Sequence, residues 1–210
     1  MDISAVYDEW SPSYDRDPNK TRDLDQIVTR QELSAIDGMT ILEFGCGTGK
    51  NTRFLSQYAG RVLALDASPG MLTCARRRIS DSQVSFSRAD ITRPWPCAPA
   101  SVDLVTCNLI LEHIKDLDFV FREASRTLRA SGIFFVCELH PFRQYRGSRA
   151  NFRRSRRKIE IPAYIHHISE FFSAARASNL VLDNLREWWH ADDQHKPPRL
   201  VSFKFTKTGK

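Results

Sequence analysis

Glu43 stands two residues ahead of Gly45, the first of three glycines at alternate positions (Gly45, Gly47 and Gly49), in the stretch Ile41-Leu42-Glu43-Phe44-Gly45-Cys46-Gly47-Thr48-Gly49-Lys50. The apolar run over 39–44 reads as a buried strand, the glycines as a tight turn and the residues from Lys50 as a helix. Glycines there let the backbone approach a ligand with no Cβ in the way, and the amino-terminal helix dipole points back at the turn. A dinucleotide fingerprint needs G-x-G-x-x-G, and the sixth position here is Lys50. An acid beside the turn would repel a pyrophosphate. It suits a ligand that carries an ammonium or a sulfonium.

Two more acids close β-like runs. Asp66 ends the apolar run 61–66, and Ser68-Pro69 then cap and start a helix. In open α/β folds an acid at the end of the second strand holds ribose hydroxyls. Its rival role, capping the next helix, is better filled by Ser68. Asp90 ends the alternating run 84–90 and is followed by Ile91. His113, His140, His166 and His167 are the candidate proton carriers, of which His113 follows the fourth strand and so belongs to the ligand face.

These segments resemble a known family. ILEFGCGTGKNT is similar to the first motif of class I S-adenosylmethionine-dependent methyltransferases, LEHI at 111–114 to a later one, and YDEWSPSYD at 7–15 to their amino-terminal lid. The resemblance implies S-adenosyl-L-methionine as cofactor and S-adenosyl-L-homocysteine as product. The residues it implies around them are Tyr14, Glu43, Gly45, Cys46, Gly47, Gly49, Asp66, Ala67, Met71, Asp90, Ile91, Asn108 and Leu109. Asp90 would accept from the adenine amino group, with Ile91 against the ring. Tyr7, Phe142, Tyr145, Tyr164 and His167 would wall the acceptor, and His113 is the candidate general base. Transfer from a sulfonium is an in-line displacement that needs mainly proximity and alignment. A base is required only where the acceptor must lose a proton.

The elements that position these residues follow from periodicity. Helical spacing runs over 21–33, after an aromatic, turn-rich segment containing Tyr7, Trp10 and Tyr14. Strands are expected at 39–44, 61–66, 84–90, 102–106 and 132–138, with helices between them, the last from about 117 to 128 and stopped by Gly132. A helix over 171–178 and two strands, 180–189 and 200–205, complete the chain. The pattern predicts an α/β, Rossmann-like, doubly wound sheet of seven strands. It is mostly parallel, with an antiparallel carboxyl-terminal hairpin and helices on both faces. We expect a single domain over 1–210, with 1–36 as a lid segment and 140–168 as an insertion over the acceptor site.

Composition narrows the partners. The chain has 210 residues, 41% of them hydrophobic and 27% charged, with a net charge of +6. No apolar run approaches the roughly 20 residues of a membrane span. The start lacks a secretory pattern and the five cysteines are scattered, so a cytoplasmic protein, monomer or homodimer, is expected. His190 and His195 match no zinc spacing, no metal is expected, and no G-x-S-x-G elbow offers a nucleophile. Between Pro141 and Ile159 the chain carries seven arginines, one lysine and no acid. A small-molecule acceptor is the favoured reading, with these arginines mostly facing solvent. The alternative is an RNA or tRNA methyltransferase that uses the 143–158 run as a phosphate clamp. Against it, Asn108-Leu109-Ile110-Leu111 lacks the prolines and stacking aromatic of amino-directed nucleic-acid enzymes.

Overall fold

The computed structural model describes residues 2–154 and 157–209, with side chains described outside 152–158. The expected strands form β1 (Thr40–Phe44), β2 (Arg61–Asp66), β3 (Val84–Arg88), β4 (Val102–Asn108) and β5 (Leu128–Leu139). A small hairpin, β6 (Asn151–Arg154) and β7 (Arg157–Glu160), follows, then β8 (Leu180–Trp188) and β9 (Leu200–Lys207). Seven strands make one sheet in the order β3-β2-β1-β4-β5-β9-β8. β1 pairs in parallel with β2 and β4, and β9 lies antiparallel between β5 and β8. The order reverses beside β1, so the crevice above β1 and β4 is the place where a ligand can enter between the flanking loops.

The sheet is buried on both faces because successive side chains point to opposite sides. Leu42 and Phe44 of β1, Val105 and Cys107 of β4, and Phe134 and Val136 of β5 go into one core. That core is closed by α5 (Leu117–Thr127) and α7 (Ile168–Ala177). Ile41, Leu104, Phe135 and Cys137 go into the other, under α2 (Lys20–Glu32) and α3 (Lys50–Leu55), where Leu72 of α4 (Pro69–Arg78) also packs. Phe121 meets Phe134 edge-on with centroids 5.0 Å apart and Phe205 at 5.5 Å. Truncating such a ring to alanine costs about 3–5 kcal/mol.

Three expectations are corrected. Residues 3–10 form a helix, α1 (Ile3–Trp10), capped by Asp2 accepting from Ser4 N, where the aromatics had suggested turns. Gly132 does not stop α5: the helix ends at Thr127, Leu128 turns extended, and β5 starts there and runs through Gly132. A Cβ at Gly132 would lie 2.9 Å from Arg129 O, so close backbone approach accounts for this glycine. The 140–168 segment holds α6 (Pro141–Tyr145) and the β6–β7 hairpin, a short arginine-rich pairing with little hydrophobic alternation to announce it.

Candidate active site

The glycine turn is fastened to the next strand. Gly45 N and Cys46 N both donate to Leu65 O, at 2.8 and 3.0 Å. Gly45 has φ +74°, and a Cβ there would stand 2.7 Å from Ile110 Cδ1. Gly47 has φ +53° with no atom within 4 Å of where its Cβ would be, so the turn leaves room for a ligand at that point.

Above the turn lies a cavity of about 480 Å³, bounded by the ends of β1, β2 and β4 and by α1 and α2. Five acids line it, Asp2, Asp25, Glu43, Asp66 and Asp90. Glu43 is buried, and its Oε2 accepts from Thr52 Oγ1 at 2.6 Å. Burial, with Asp25 and Asp66 adding repulsion, lifts the Glu43 carboxyl to about 7 against the opposing effect of the Thr52 bond. Asp66 accepts from Gly47 N at 2.9 Å and Ser68 N at 2.8 Å, and burial raises its carboxyl too. It therefore ties the glycine turn to the start of α4, while Ser68 Oγ caps that helix by accepting from Met71 N. Asp25, on α2, accepts from Asn108 Nδ2 at 2.6 Å and Asn51 Nδ2 at 2.8 Å. Burial raises it as well.

Three cations, Arg22, Lys50 and Arg88, also line the cavity. Arg22 is buried, donates to Tyr14 O and Asp17 O, and lies 3.9 Å from the Tyr14 ring centroid. Its Nε has no partner among the described residues. On the β3 side, Asp90 Oδ1 accepts from Thr92 N and Thr92 Oγ1, and Ile91 is buried against the cavity. At the end of β4, Leu109 adopts φ +54°, a strained backbone for a non-glycine residue and a frequent mark of a functional site.

Of the residues that the sequence associates with a cofactor, all but Gly49 line this cavity. Gly49 sits one step beyond, at the N-cap of α3 with φ +81°, packed beside Ala75 and Ile79. Of the acceptor candidates, Tyr7 and His113 reach it, hydrogen-bonded to each other at 2.8 Å. Phe142, Tyr145, Tyr164 and His167 do not. Tyr145 Oη pairs instead with His167 Nδ1 at 2.5 Å on the surface, and Phe142 and Tyr164 are each about half exposed. Two other histidines are structural: His140 binds Glu187 and caps Phe142 N, and His166 donates to Ile114 O at 2.7 Å. Of the arginine run, expected to be mostly solvent-facing, Arg143 turns inward to Asp193 at 3.1 Å while Arg146 and Arg149 are exposed. Arg153, Arg154, Arg156 and Arg157 lie outside the described side chains.

Sequence reasoning missed Asp25, Arg22 and Glu138. Asp25, Thr29 and Glu32 follow one another at helical spacing, a polar stripe beside Leu24 and Val28 that was the available signal. Glu138 is the penultimate residue of β5, as Glu43 is of β1. Its Oε1 accepts from Ile110 N and Leu111 N, its Oε2 has no partner among the described residues, and burial pushes it to about 8.

Comparison with known proteins agrees with this geometry. A family model described as a methyltransferase domain matches residues 42–136, the span from β1 into β5. The demethylmenaquinone methyltransferase of Clavibacter sepedonicus is 32% identical over 141 residues, 65% of this chain and 57% of that protein. The malonyl-[acyl-carrier protein] O-methyltransferase of Methylovorus sp. (strain MP688) is 32% identical over 149 residues, 66% of this chain and 50% of that protein. The chain thus spans about half the length of these curated relatives. The crystal structure of an S-adenosylmethionine dependent methyltransferase from Mesorhizobium loti superposes with a TM-score of 0.72 at 21% identity, covering 86% of this chain and 96% of that one.

Proposed function

The chain belongs to the class I S-adenosylmethionine-dependent methyltransferases, and from that membership we propose that it transfers the methyl group of S-adenosylmethionine to a small-molecule acceptor. The observation that carries the reading is the convergence of Glu43, Asp66 and the open Gly47 turn on one cavity at the strand ends. The residues present fit the cofactor. Glu43 and Asp25 suit its ammonium, Asp66 its ribose hydroxyls, Asp90 and Ile91 its adenine, and the unpartnered Arg22 Nε a carboxylate. When bound, the sulfonium supplies an activated methyl group.

The chain's own residues then have three tasks. The glycine turn and the acids orient the cofactor. Tyr7 and Tyr14 line the cavity and keep water from it, and aromatic faces also favour a cation by about 0.5–2 kcal/mol each. His113 Nε2, which accepts from Tyr7, can receive a proton from a hydroxyl acceptor by way of the Tyr7 hydroxyl. The names of the relatives support a small acceptor group: demethylmenaquinone, malonyl-[acyl-carrier protein] and, for a Xanthomonas euvesicatoria protein, ubiquinone biosynthesis. The RNA reading is not favoured, since Arg143, the first arginine of the proposed clamp, is already bound to Asp193 and to the carbonyls of Pro197 and Pro198.

Calorimetric titration with S-adenosylmethionine, S-adenosylhomocysteine and NAD tests the assignment. Binding of the first two without NAD is expected; NAD binding alone would overturn it.

A further inference from the structure

A second cavity of about 650 Å³ lies behind the first, and the two share Tyr7, Tyr14, Arg22 and Leu109 as walls. Its character is opposite. Where the first cavity gathers carboxylates, the second gathers Lys20, Arg22, Arg143, Arg146, Arg149 and Arg199 against only Asp17 and Glu112. The cations come from three separate stretches of chain: the start of α2, the α6 region and the end of the β8–β9 connection. No single run in the sequence encodes the cluster.

The cations are of two kinds. Arg143 and Arg199 are held by the buried Asp193, Arg199 through both Nε at 2.6 Å and Nη2 at 2.7 Å, and Lys20 pairs with Asp192 at 2.6 Å. Arg143 and Arg199 share one carboxylate, so this held part of the wall stays net positive. Arg146 and Arg149 have no hydrogen bond or ion pair from their guanidinium groups among the described residues, and so are free to fork onto an anion.

We propose that this second cavity is the acceptor subsite and that it selects an acceptor bearing a carboxylate or phosphate, anchored by Arg146 and Arg149. The inference rests on the methyltransferase reading. Electrostatic complementarity would then divide the two substrates, the cationic cofactor to the acidic cavity and the anionic acceptor to the basic one, with Tyr7 and Leu109 between them. A space of this volume suits a small organic molecule. Two free arginines at its rim give specificity for the planar, two-oxygen face of a carboxylate or phosphate.

Titrations of the full chain decide it. S-adenosylhomocysteine comes first and tests the cofactor reading by itself. Phenylphosphate, benzoate and neutral benzamide are then titrated in its presence, and again in the variant carrying Arg146→Gln and Arg149→Gln. The expected result is at least tenfold tighter binding of one or both anions than of benzamide, reduced at least fivefold in the variant with S-adenosylhomocysteine affinity unchanged. The better of phenylphosphate and benzoate identifies the head group. No preference over benzamide, or a preference that survives the double substitution, overturns the subsite. So does tighter, steeply salt-dependent binding of a single-stranded RNA oligonucleotide. If S-adenosylhomocysteine fails to bind while the anion preference holds, the cofactor reading fails and the anion site stands.

Discussion

The Tyr7 hydroxyl donates to His113 Nε2 across 2.8 Å, joining α1 to the short helical turn after β4. The direction is set from the far side of the ring. His113 Nδ1 lies 3.1 Å from Pro162 O, and a carbonyl can only accept, so Nδ1 holds the proton and Nε2 is left as the acceptor. Burial, with Tyr14 and Glu112 adding to it, pushes the Tyr7 phenol well above its ordinary value and keeps it neutral. The pair is therefore an oriented relay between Pro162 and the cavity.

If this relay removes the acceptor's proton, Tyr7→Phe and His113→Gln should each lower kcat on a hydroxyl acceptor by about 10²–10⁴-fold. The double variant should be no worse than the more damaged single one, because the two act as a unit. S-adenosylhomocysteine affinity, read by calorimetry, should move less than the rate does. Rates within threefold of wild type would remove proton transfer from the pair's role.

Glu43 predicts a pH dependence of its own. Its carboxyl sits near 7 in the folded chain against 4.5 ordinarily, so between those values the folded state binds more protons than the unfolded one. Stability consequently falls as pH rises from about 4.5 to 7, and the full burden, at most about 3 kcal/mol, is present above that window. Glu43→Gln should raise the melting temperature at pH 8 and change it little near pH 4. A cationic ligand favours the ionised form, so cofactor affinity should rise from pH 6 to pH 8 with proton release, and this slope should vanish in the variant. Calorimetry in buffers of different ionisation enthalpy reads both effects.

Asp66→Ala should do more than weaken the cofactor. Its carboxylate accepts from Gly47 N and Ser68 N, and loss of a hydrogen bond to a charged group costs about 1.5–3 kcal/mol. We expect a lowered melting temperature together with at least tenfold weaker binding of S-adenosylhomocysteine. Asp66→Asn, which keeps one acceptor oxygen, should recover part of the stability and little of the affinity. A variant with wild-type affinity would leave Asp66 as a purely structural clasp.

The central sheet was legible in the sequence because its inner strands are buried apolar runs with a polar residue at or near the ligand edge, as in Leu63-Ala64-Leu65-Asp66. Glu43, Asp66 and Asp90 of the first cavity were legible from their places at or just past strand ends, whereas Asp25 was not. That residue comes from a helix, where facing direction depends on packing that no local pattern states. The second cavity was illegible: Lys20, Arg146 and Arg199 are far apart in the chain and meet only through tertiary folding. Tyr145 and His167 misled because their mutual hydrogen bond draws both to the surface, away from either cavity.

Asp8 tests whether α1 is a closing element. Its Oδ1 accepts from Ser68 Oγ at 2.5 Å and Gly70 N at 2.7 Å, so a carboxylate of α1 caps the amino terminus of α4. A Cβ at Gly70 would come within 2.5 Å of Ser11 Oγ, which shows how closely the two helices meet. Asp8→Ala removes a cap worth about 0.5–2 kcal/mol. Faster amide exchange over residues 3–17 and weaker cofactor binding are expected, with exchange in β1 and β4 unchanged. Uniformly faster exchange throughout the sheet would mean that Asp8 supports the whole fold instead.

Asp193 is buried between two guanidinium groups, those of Arg143 and Arg199, and it lies outside the first cavity. Burial alone would raise its carboxyl, yet the hydrogen bonds from Arg199 and Arg143 hold it well below the usual carboxylate range. A depressed folded value gives stability that is present above the unfolded pKa of about 3.9 and lost as pH falls through the folded value. Removing the acid also strands two guanidinium groups. Asp193→Ala should therefore cost about 3–5 kcal/mol, the effect of breaking a buried pair from one side. The loss should shrink in melts at pH 2–3, where the wild type begins to lose the same interaction. Arg143→Met, which leaves Arg199 on the acid, should cost clearly less and loosen α6, seen as faster exchange over 141–147. Equal losses for Asp193→Ala and Arg143→Met at pH 7 would show that Arg143, rather than the Arg199 fork, carries the cluster.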